Sequence, residues 1–376
     1  MALQAGLVGL PNVGKSTLFN ALTKSSVPAE NFPFCTLDPS TAMAKVPDER
    51  LDRLMVVYGS QKLIPATMNF VDIAGLVKGA SKGEGLGNQF LSHIMEVDLV
   101  IHVLRCFEDG NVLHVHNAVD PVNDFENILT ELMLKDLESL EKRNERFVTL
   151  LKAAKNKQAS VFEIKKIEKE QELVGQLIPL LEKGDHQAII KLVAQAKKED
   201  TPLIPLLSGK PFLVVANLSE EDFSGTNYKQ NKHYQAVVAR FGEENVVPVS
   251  AKIESELAHM DEADAKEFMQ DLGIEQSGLD SVIKTTYQRL GLISFYTCGP
   301  KEAHAWTITQ GTLVPQAAGV IHSDLERGFI AAEVYNCEDI FAQGSEAKLR
   351  TLGLLRTEGK TYVVKNGDIL NIKFNV

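Results

Sequence analysis

The chain has 376 residues, 44% of them hydrophobic and 24% charged. That is soluble globular composition in a chain too long for one ordinary core, so two or three domains are expected. The net charge of −11 argues against a surface built wholly as a nucleic-acid sleeve. No apolar run approaches the length that spans a bilayer, and the apolar start Met1–Gly9 has no basic flank, so neither a membrane protein nor a signal peptide is expected. Four scattered cysteines (Cys35, Cys106, Cys298, Cys337) without a CxxC pair suit a reducing compartment, the cytoplasm by default, and give no metal-site spacing. Charge is uneven. From Met133 to Asp200 there are 14 Lys/Arg and 12 Asp/Glu, leaving a net of −13 on the remainder. A phosphate-seeking face is therefore expected on that middle segment or as a local patch elsewhere.

In chain order, short β-rich apolar runs alternate with helical stretches through the first 285 residues. Leu3–Leu10, Thr67–Asp72, Val97–Arg105, Pro211–Asn217 and Val246–Ser250 read as strands, several of them nearly continuous Val, Ile, Leu and Phe. Such runs mark parallel strands buried on both faces, and strands separated by helices predict an α/β sheet. Between about Ile128 and Lys198 the rhythm stops. Apolar residues at helical spacing, interrupted by charges such as Asp136, predict a helical hairpin, partly coiled coil, inserted between two strands. Gly184-Asp185 is a break, and Pro202 and Pro205 end the insert. From about Leu290, short runs at Trp306–Ile308, Phe329–Val334 and Tyr362–Val364, separated by Gly and Asn-Gly turns, predict a small α+β domain. The expected division is 1–127 with 206–285 as one α/β domain, 128–205 as the helical insert and 291–374 as the third unit.

The chemistry begins at Gly9-Leu10-Pro11-Asn12-Val13-Gly14-Lys15-Ser16, which matches G-x-x-x-x-G-K-[ST] between a strand and a helix predicted over Lys15–Lys24. Glycines let backbone N–H groups curl around phosphate oxygens, and the helix N-terminus adds partial positive charge. Phosphate contacts are expected from Asn12, Val13, Gly14, Lys15, Ser16 and Thr17. Lys15 reaches the β- and γ-phosphates and Ser16 ligates Mg²⁺. Asp72-Ile73-Ala74-Gly75, closing the second strand, places Asp72 toward Mg²⁺ through water and the Gly75 N–H toward the γ-phosphate. Thr36 lies between the two motifs. Its position suits a switch threonine that completes the Mg²⁺ shell and a plain loop residue equally well.

GTPases read guanine with N-K-x-D after a buried strand. Here the equivalent place reads Asn217-Leu218-Ser219-Glu220, with Leu218 where the stacking Lys stands and Glu220 where Asp accepts from guanine. Guanine would lose its well-placed carboxylate, whereas adenine has no 2-amino group to leave unpaired, so ATP is favoured over GTP. Asn-Leu-Ser-Glu could also be a plain helix-start loop. Ser250-Ala251-Lys252, after the next strand, fits the last base-contacting loop. Leu76 stands where Ras-like proteins place their water-orienting Gln, which implies slow turnover or a catalytic residue from elsewhere.

Together these residues resemble the Obg-like ATPases of the YchF type. The resemblance is carried by the P-loop, Asn31-Phe32-Pro33-Phe34-Cys35-Thr36, Asp72–Ala80, Asn217–Glu220 and Pro315–Ile330, and it covers essentially the whole chain. It implies a G domain with an inserted coiled-coil domain and a C-terminal TGS domain of β-grasp fold. It also implies slow hydrolysis of ATP, binding to the ribosome and a role in regulating translation or stress responses; separately from the resemblance, a monomer is expected. The resemblance adds two residues. His114 matches a family histidine implicated in hydrolysis, though by itself it reads as a loop histidine. Asn12 matches the P-loop asparagine of potassium-activated relatives, so K⁺ joins Mg²⁺ as an expected ion, with a simple loop polar residue as the equal alternative. Two other functions are compatible with the sequence: a true GTPase, and a nucleotide-sensing adaptor whose helical insert and C-terminal domain bind RNA or protein.

Overall fold

A computed structural model of the chain describes residues 3–24, 40–73, 86–109, 118–156, 160–225 and 227–375. Its elements run β1 (Gln4–Val8), α1 (Lys15–Lys24), β2 (Thr41–Lys45), α2 (Glu49–Tyr58), β3 (Lys62–Ile64), β4 (Thr67–Asp72), α3 (Leu86–Glu96), β5 (Leu99–Arg105), α4 (Pro121–Asn156), α5 (Val161–Lys183) and α6 (His186–Lys198). They continue with β6 (Phe212–Asn217), α7 (Glu220–Phe223), α8 (Lys232–Phe241), β7 (Val246–Val249), α9 (Ala251–Leu257), α10 (Glu262–Asp271) and α11 (Gly278–Arg289). The last part is β8 (Leu292–Cys298), β9 (Glu302–Thr309), α12 (Val314–Ile321), α13 (Ser323–Arg327), β10 (Phe329–Asn336), α14 (Cys337–Gln343), α15 (Glu346–Thr351), β11 (Arg356–Glu358) and β12 (Asp368–Phe374).

Six strands form the first sheet in the order β2-β4-β1-β5-β6-β7. All pairs are parallel except β2 with β4. Every residue of β5 is buried, as a strand covered by helices on both faces must be. Leu99, Ile101 and Val103 point into the core shared with α1 and α11, while Val100 and Leu104 point toward α3 and α4 on the other side. The five expected strands are all present. β2 holds three apolar residues, two of them alanine, and β3 holds two, too little apolar signal to mark a strand.

The helix leaving the first sheet starts earlier than 128. α4 begins at Pro121, with Asp120 accepting the Asn123 N–H at 3.1 Å, and runs unbroken for 36 residues. Proline suits the first helical position because its missing N–H has no partner there anyway. Phe125, Ile128, Leu129 and Leu132 are buried against the sheet and α3, and the same helix then continues outward. At 1.5 Å per residue it is about 54 Å long. α5 returns along it. Ser160 and Glu163 form a reciprocal capping box at its start, and Gly184 in the left-handed region ends it. Asp185 then caps α6. The arm is re-anchored by a charge that breaks the apolar pattern of α4. Asp136 is buried and accepts from the backbone N–H of Leu207 (2.8 Å) and Ser208 (2.7 Å) and from Ser208 Oγ (2.6 Å).

The second sheet has the order β11-β10-β12-β8-β9-β3, with α12 packed on one face over Phe295, Ile308, Val334 and Leu370. The run Tyr362–Val364 is not a strand. Val363 makes one isolated bridge to Leu313, and the strand is β12, where Ile369, Leu370 and Ile372 follow the Asn366-Gly367 turn. β3 joins this sheet parallel to β9, so a segment lying between strands of the first sheet completes the second. Around it, Ser60 Oγ donates to the Gly299 carbonyl at 2.7 Å, the hydroxyls of Tyr58 and Tyr335 meet at 2.5 Å, and Tyr335 donates to Glu346 at 2.6 Å. Tyr296 donates to Asp48, whose carboxylate also holds Arg50 in a two-point pair (2.8 and 2.9 Å). Among the described residues no helix is long and apolar enough to cross a membrane.

Candidate nucleotide site

β1 ends at the centre of the first sheet, where the chain has gone to β4 on one side and to β5 on the other. In open α/β sheets that reversal opens a crevice at the carboxyl ends of the strands. The loop from Gly9 to Gly14 fills this position and feeds α1, whose first hydrogen bond runs from Leu18 N–H to the Gly14 carbonyl at 3.0 Å. Two glycines are required by space. A Cβ on Gly9 would lie 2.8 Å from the Val103 carbonyl oxygen. A Cβ on Gly14, which has φ +92°, would lie 2.2 Å from Asn217 Nδ2. Asn12 also adopts positive φ (65°), a conformation its short polar side chain tolerates.

Lys15 is 8% exposed, and its ammonium is ion-paired with Asp72. A nearly buried cation requires such a partner. Asp72 reaches it because β4 lies parallel to β1 with Asp72 opposite Leu7, so that strand end and P-loop face each other. Ser16 and Thr17 are exposed in the first turn of α1. Gly14, Lys15, Ser16, Thr17 and Asp72 are thus brought together at one helix N-terminus. The hydroxyl of Ser16 and the carboxylate of Asp72 are hard oxygen donors suited to Mg²⁺, which is held by one or two protein groups plus phosphates and water rather than by an all-protein cage. No cluster of three His, Cys, Asp or Glu side chains able to hold a metal occurs among the described residues.

Asn217, at the end of β6, is almost fully buried. Its Nδ2 donates to the Val13 carbonyl (2.8 Å) and its Oδ1 accepts from the Ala251 N–H (2.9 Å). One side chain therefore clamps the P-loop to the start of α9. Leu218 is 2% exposed and sits in the core with Leu104, Cys106 and Ile253, so its side chain presents no stacking face in this structure. Glu220 opens α7 and is ion-paired with Lys252, and this pairing raises the Lys252 pKa. Ser250 is fully buried, and its hydroxyl has no hydrogen-bond partner among the described residues. Thr36, Gly75 and His114 lie outside the described residues, as does Leu76.

Sequence reasoning missed Arg105. It ends β5 fully buried, donates to the carbonyls of Phe107 (3.1 Å) and Asp109 (3.3 Å), and lies 4.7 Å from the Phe107 ring. The available signal was a cation at the end of an otherwise apolar strand run. Asn231 was missed as well; its amide donates to the Cys106 carbonyl and to Asp222, both at 3.0 Å, joining the turns after β5 and β6.

A strand–P-loop–helix unit with a lysine poised on the carboxylate ending the neighbouring strand defines a P-loop nucleoside triphosphate hydrolase. A family model described as a 50S ribosome-binding GTPase matches residues 4–152, and the YchF GTPase C-terminal model, described as a protein of unknown function, matches residues 292–375. The chain is 46% identical over the full length of both proteins to the ribosome-binding ATPase YchF of Bacillus subtilis. It is 43% identical to Obg-like ATPase 1 of Oryza sativa subsp. japonica, covering 100% of this chain and 92% of that one. The solved structure of the Schizosaccharomyces pombe YchF GTPase superposes with a TM-score of 0.82 at 36% identity, covering 99% and 97% of the two chains. The chain belongs to the YchF family of Obg-like ATPases.

Proposed function

We propose that the chain is a Mg²⁺-dependent ATPase that hydrolyses ATP to ADP and phosphate, prefers ATP to GTP, turns over slowly, and acts in the cytoplasm as a monomeric, nucleotide-dependent switch on the ribosome, regulating translation or stress responses. The observation that carries the phosphate chemistry is the Lys15–Asp72 pair beneath a P-loop clamped by Asn217. With triphosphate bound, Lys15 exchanges its carboxylate partner for the β- and γ-phosphate oxygens. Asp72, released, would hold Mg²⁺ together with Ser16 and Thr36. The backbone N–H groups of Val13, Gly14, Ser16 and Thr17 line the phosphates, and the Gly75 N–H meets the γ-phosphate. Mg²⁺ supplies charge neutralisation on the phosphate oxygens when bound. Asn12 would hold K⁺, which would add positive charge beside the phosphates. His114, as a neutral imidazole, orients the attacking water in place of the glutamine that Leu76 replaces.

The ribosome and the choice of ATP are supported by the names of the relatives that match end to end. The competing reading is a GTPase, the activity by which the Schizosaccharomyces pombe relative is described. Titration with labelled ATP and GTP decides between them. A GTP affinity more than about tenfold tighter, ~1.4 kcal/mol, overturns the ATP assignment. Lys15→Ala should abolish binding of both nucleotides, and unchanged turnover in that variant removes the site.

A further inference from the structure

The far end of the α4/α5 arm differs from the rest of the molecule in charge and in surface. From Arg146 to Lys166 the sequence holds six Lys/Arg and one acidic residue, a net of +5 in a chain of −11, so the remainder carries −16. The single acid, Glu163, is committed to the capping box, accepting from the Ser160 N–H at 2.8 Å and its hydroxyl at 3.0 Å. Beside it Val161 and Phe162 are 72% and 68% exposed at the start of α5. Side chains that exposed contribute little to the packing of the arm. Lys166 lies 4.9 Å from the Phe162 ring, and Lys165 and Lys169 follow Phe162 at helical spacings on the same side. The two-point Arg143–Glu170 pair (2.9 and 2.7 Å) fixes how the helices are aligned. Equal steps outward from it set Lys152 level with Val161. An exposed aromatic ring framed by cations, on a rigidly capped helix start, has the chemistry of a single-strand nucleic-acid platform, in which cations track phosphates and a base stacks on the ring.

We propose that the distal end of the arm, around Phe162, Arg146, Lys152, Lys165 and Lys166, is an RNA-binding site that takes an unpaired base on Phe162 and the flanking phosphates on the lysines and arginine. It deepens the ribosome reading above and rests on it only for which RNA is met in the cell. The net −16 of the remaining chain repels phosphate and orients the arm tip-first toward a polyanion. The tip lies about 30 Å along α4 beyond Leu132, so changes there leave the nucleotide site untouched.

The test uses the full chain, fluorescein-labelled oligo(U) of about twenty nucleotides, and purified ribosomes. Phe162→Ala should lower oligo(U) affinity about tenfold without altering its salt dependence. The combined variant Arg146→Gln, Lys152→Gln, Lys165→Gln, Lys166→Gln should lower it more, and should flatten log affinity against log salt by about 0.7 for each phosphate no longer neutralised. ATP turnover and the unfolding midpoint should be unchanged in both, since every altered side chain but Lys166 is exposed. Wild-type oligo(U) affinity in both variants overturns the proposal. Unchanged oligo(U) binding with abolished ribosome pelleting also overturns it, by assigning the tip to a protein partner. Weakened oligo(U) binding in the variants supports it. If the wild-type chain fails to pellet with ribosomes in every nucleotide state, the ribosome reading falls, while the oligo(U) comparison still decides the RNA site.

Discussion

Gly14→Ala tests the claim that Asn217 is a clamp on the P-loop rather than only a base-reading residue. The new Cβ would sit 2.2 Å from Asn217 Nδ2 and 3.4 Å from the Ala251 Cβ. Contact at 2.2 Å is untenable, so the Asn217 amide is the group that must move. A shift of about 1 Å breaks its bonds to Val13 and Ala251, at roughly 1–3 kcal/mol for each buried group left without a partner. A side chain at φ +92° adds about 1–3 kcal/mol of backbone strain. The sum is about 3–9 kcal/mol, a large part of a domain's stability. Nucleotide affinity should fall by more than about a hundredfold, ~2.7 kcal/mol. Asn217→Ala removes the colliding atom. In that background Gly14→Ala should cost only the strain, so a double-mutant cycle read by urea unfolding and by titration with a fluorescent ATP analogue should give a coupling of about 2–6 kcal/mol. Costs that add to within about 0.5 kcal/mol, or a Gly14→Ala variant that binds as the wild type does, would falsify the clamp.

Two further outcomes follow from the packing. His102 is fully buried on β5 against Phe125 (ring centroids 4.4 Å), with Nδ1 unpartnered among the described residues, and burial followed by the nearby His186 lowers its pKa from 6.5 to about 3. The unfolded chain then binds a proton that the folded chain refuses. Stability is full above pH 6.5 and is lost as pH falls toward 3, at about 1.4 kcal/mol per pH unit once well below 6.5. His102→Leu should flatten the acid limb of a urea-midpoint profile, and an identical slope in the variant refutes the assignment. At the junction of the two sheets, Tyr296→Phe removes the hydroxyl that donates to Asp48. It should lower unfolding stability by about 1–2 kcal/mol while leaving nucleotide affinity intact. A selective loss of affinity would show that the junction reports directly to the nucleotide site.

The parallel strands and the P-loop were readable because each is a local pattern: runs buried on both faces in β5 and β6, and a fixed spacing of Gly, Lys and Ser before a helix. What escaped depends on partners distant in sequence. Asp136 looked like a charge interrupting an apolar face; it is a buried anchor because Leu207 and Ser208, some seventy positions later, supply three donors. β3 is three residues long, and its pairing partner, β9, begins at Glu302. Tyr362–Val364 has strand composition, yet Val364 is spent on the core under α12 and the ladder is made by the residues after the next turn. Leu218 was placed by analogy with a stacking lysine, but an isobutyl side chain beside Leu104, Cys106 and Ile253 is drawn into the core instead.

That last difference bears on base choice. In the ATP reading, three features of the loop after β6 are available to disfavour guanine. Asn217 has its carbonyl oxygen and one amide hydrogen occupied by the P-loop and α9, so it fixes the loop in place and has little left for the base. The Glu220–Lys252 pair occupies the carboxylate that guanine would need, but Lys252 is largely exposed and solvent screens such a pair. It therefore falls short of a tenfold preference alone. The larger contribution must come from what the fixed backbone makes of a longer acid. In the ATP reading, a glutamate one methylene longer would not set its carboxylate where an aspartate makes a two-point contact with N1–H and the 2-amino group. The same rigidity that shapes the phosphate site would then select the base, through a position that the loop cannot adjust.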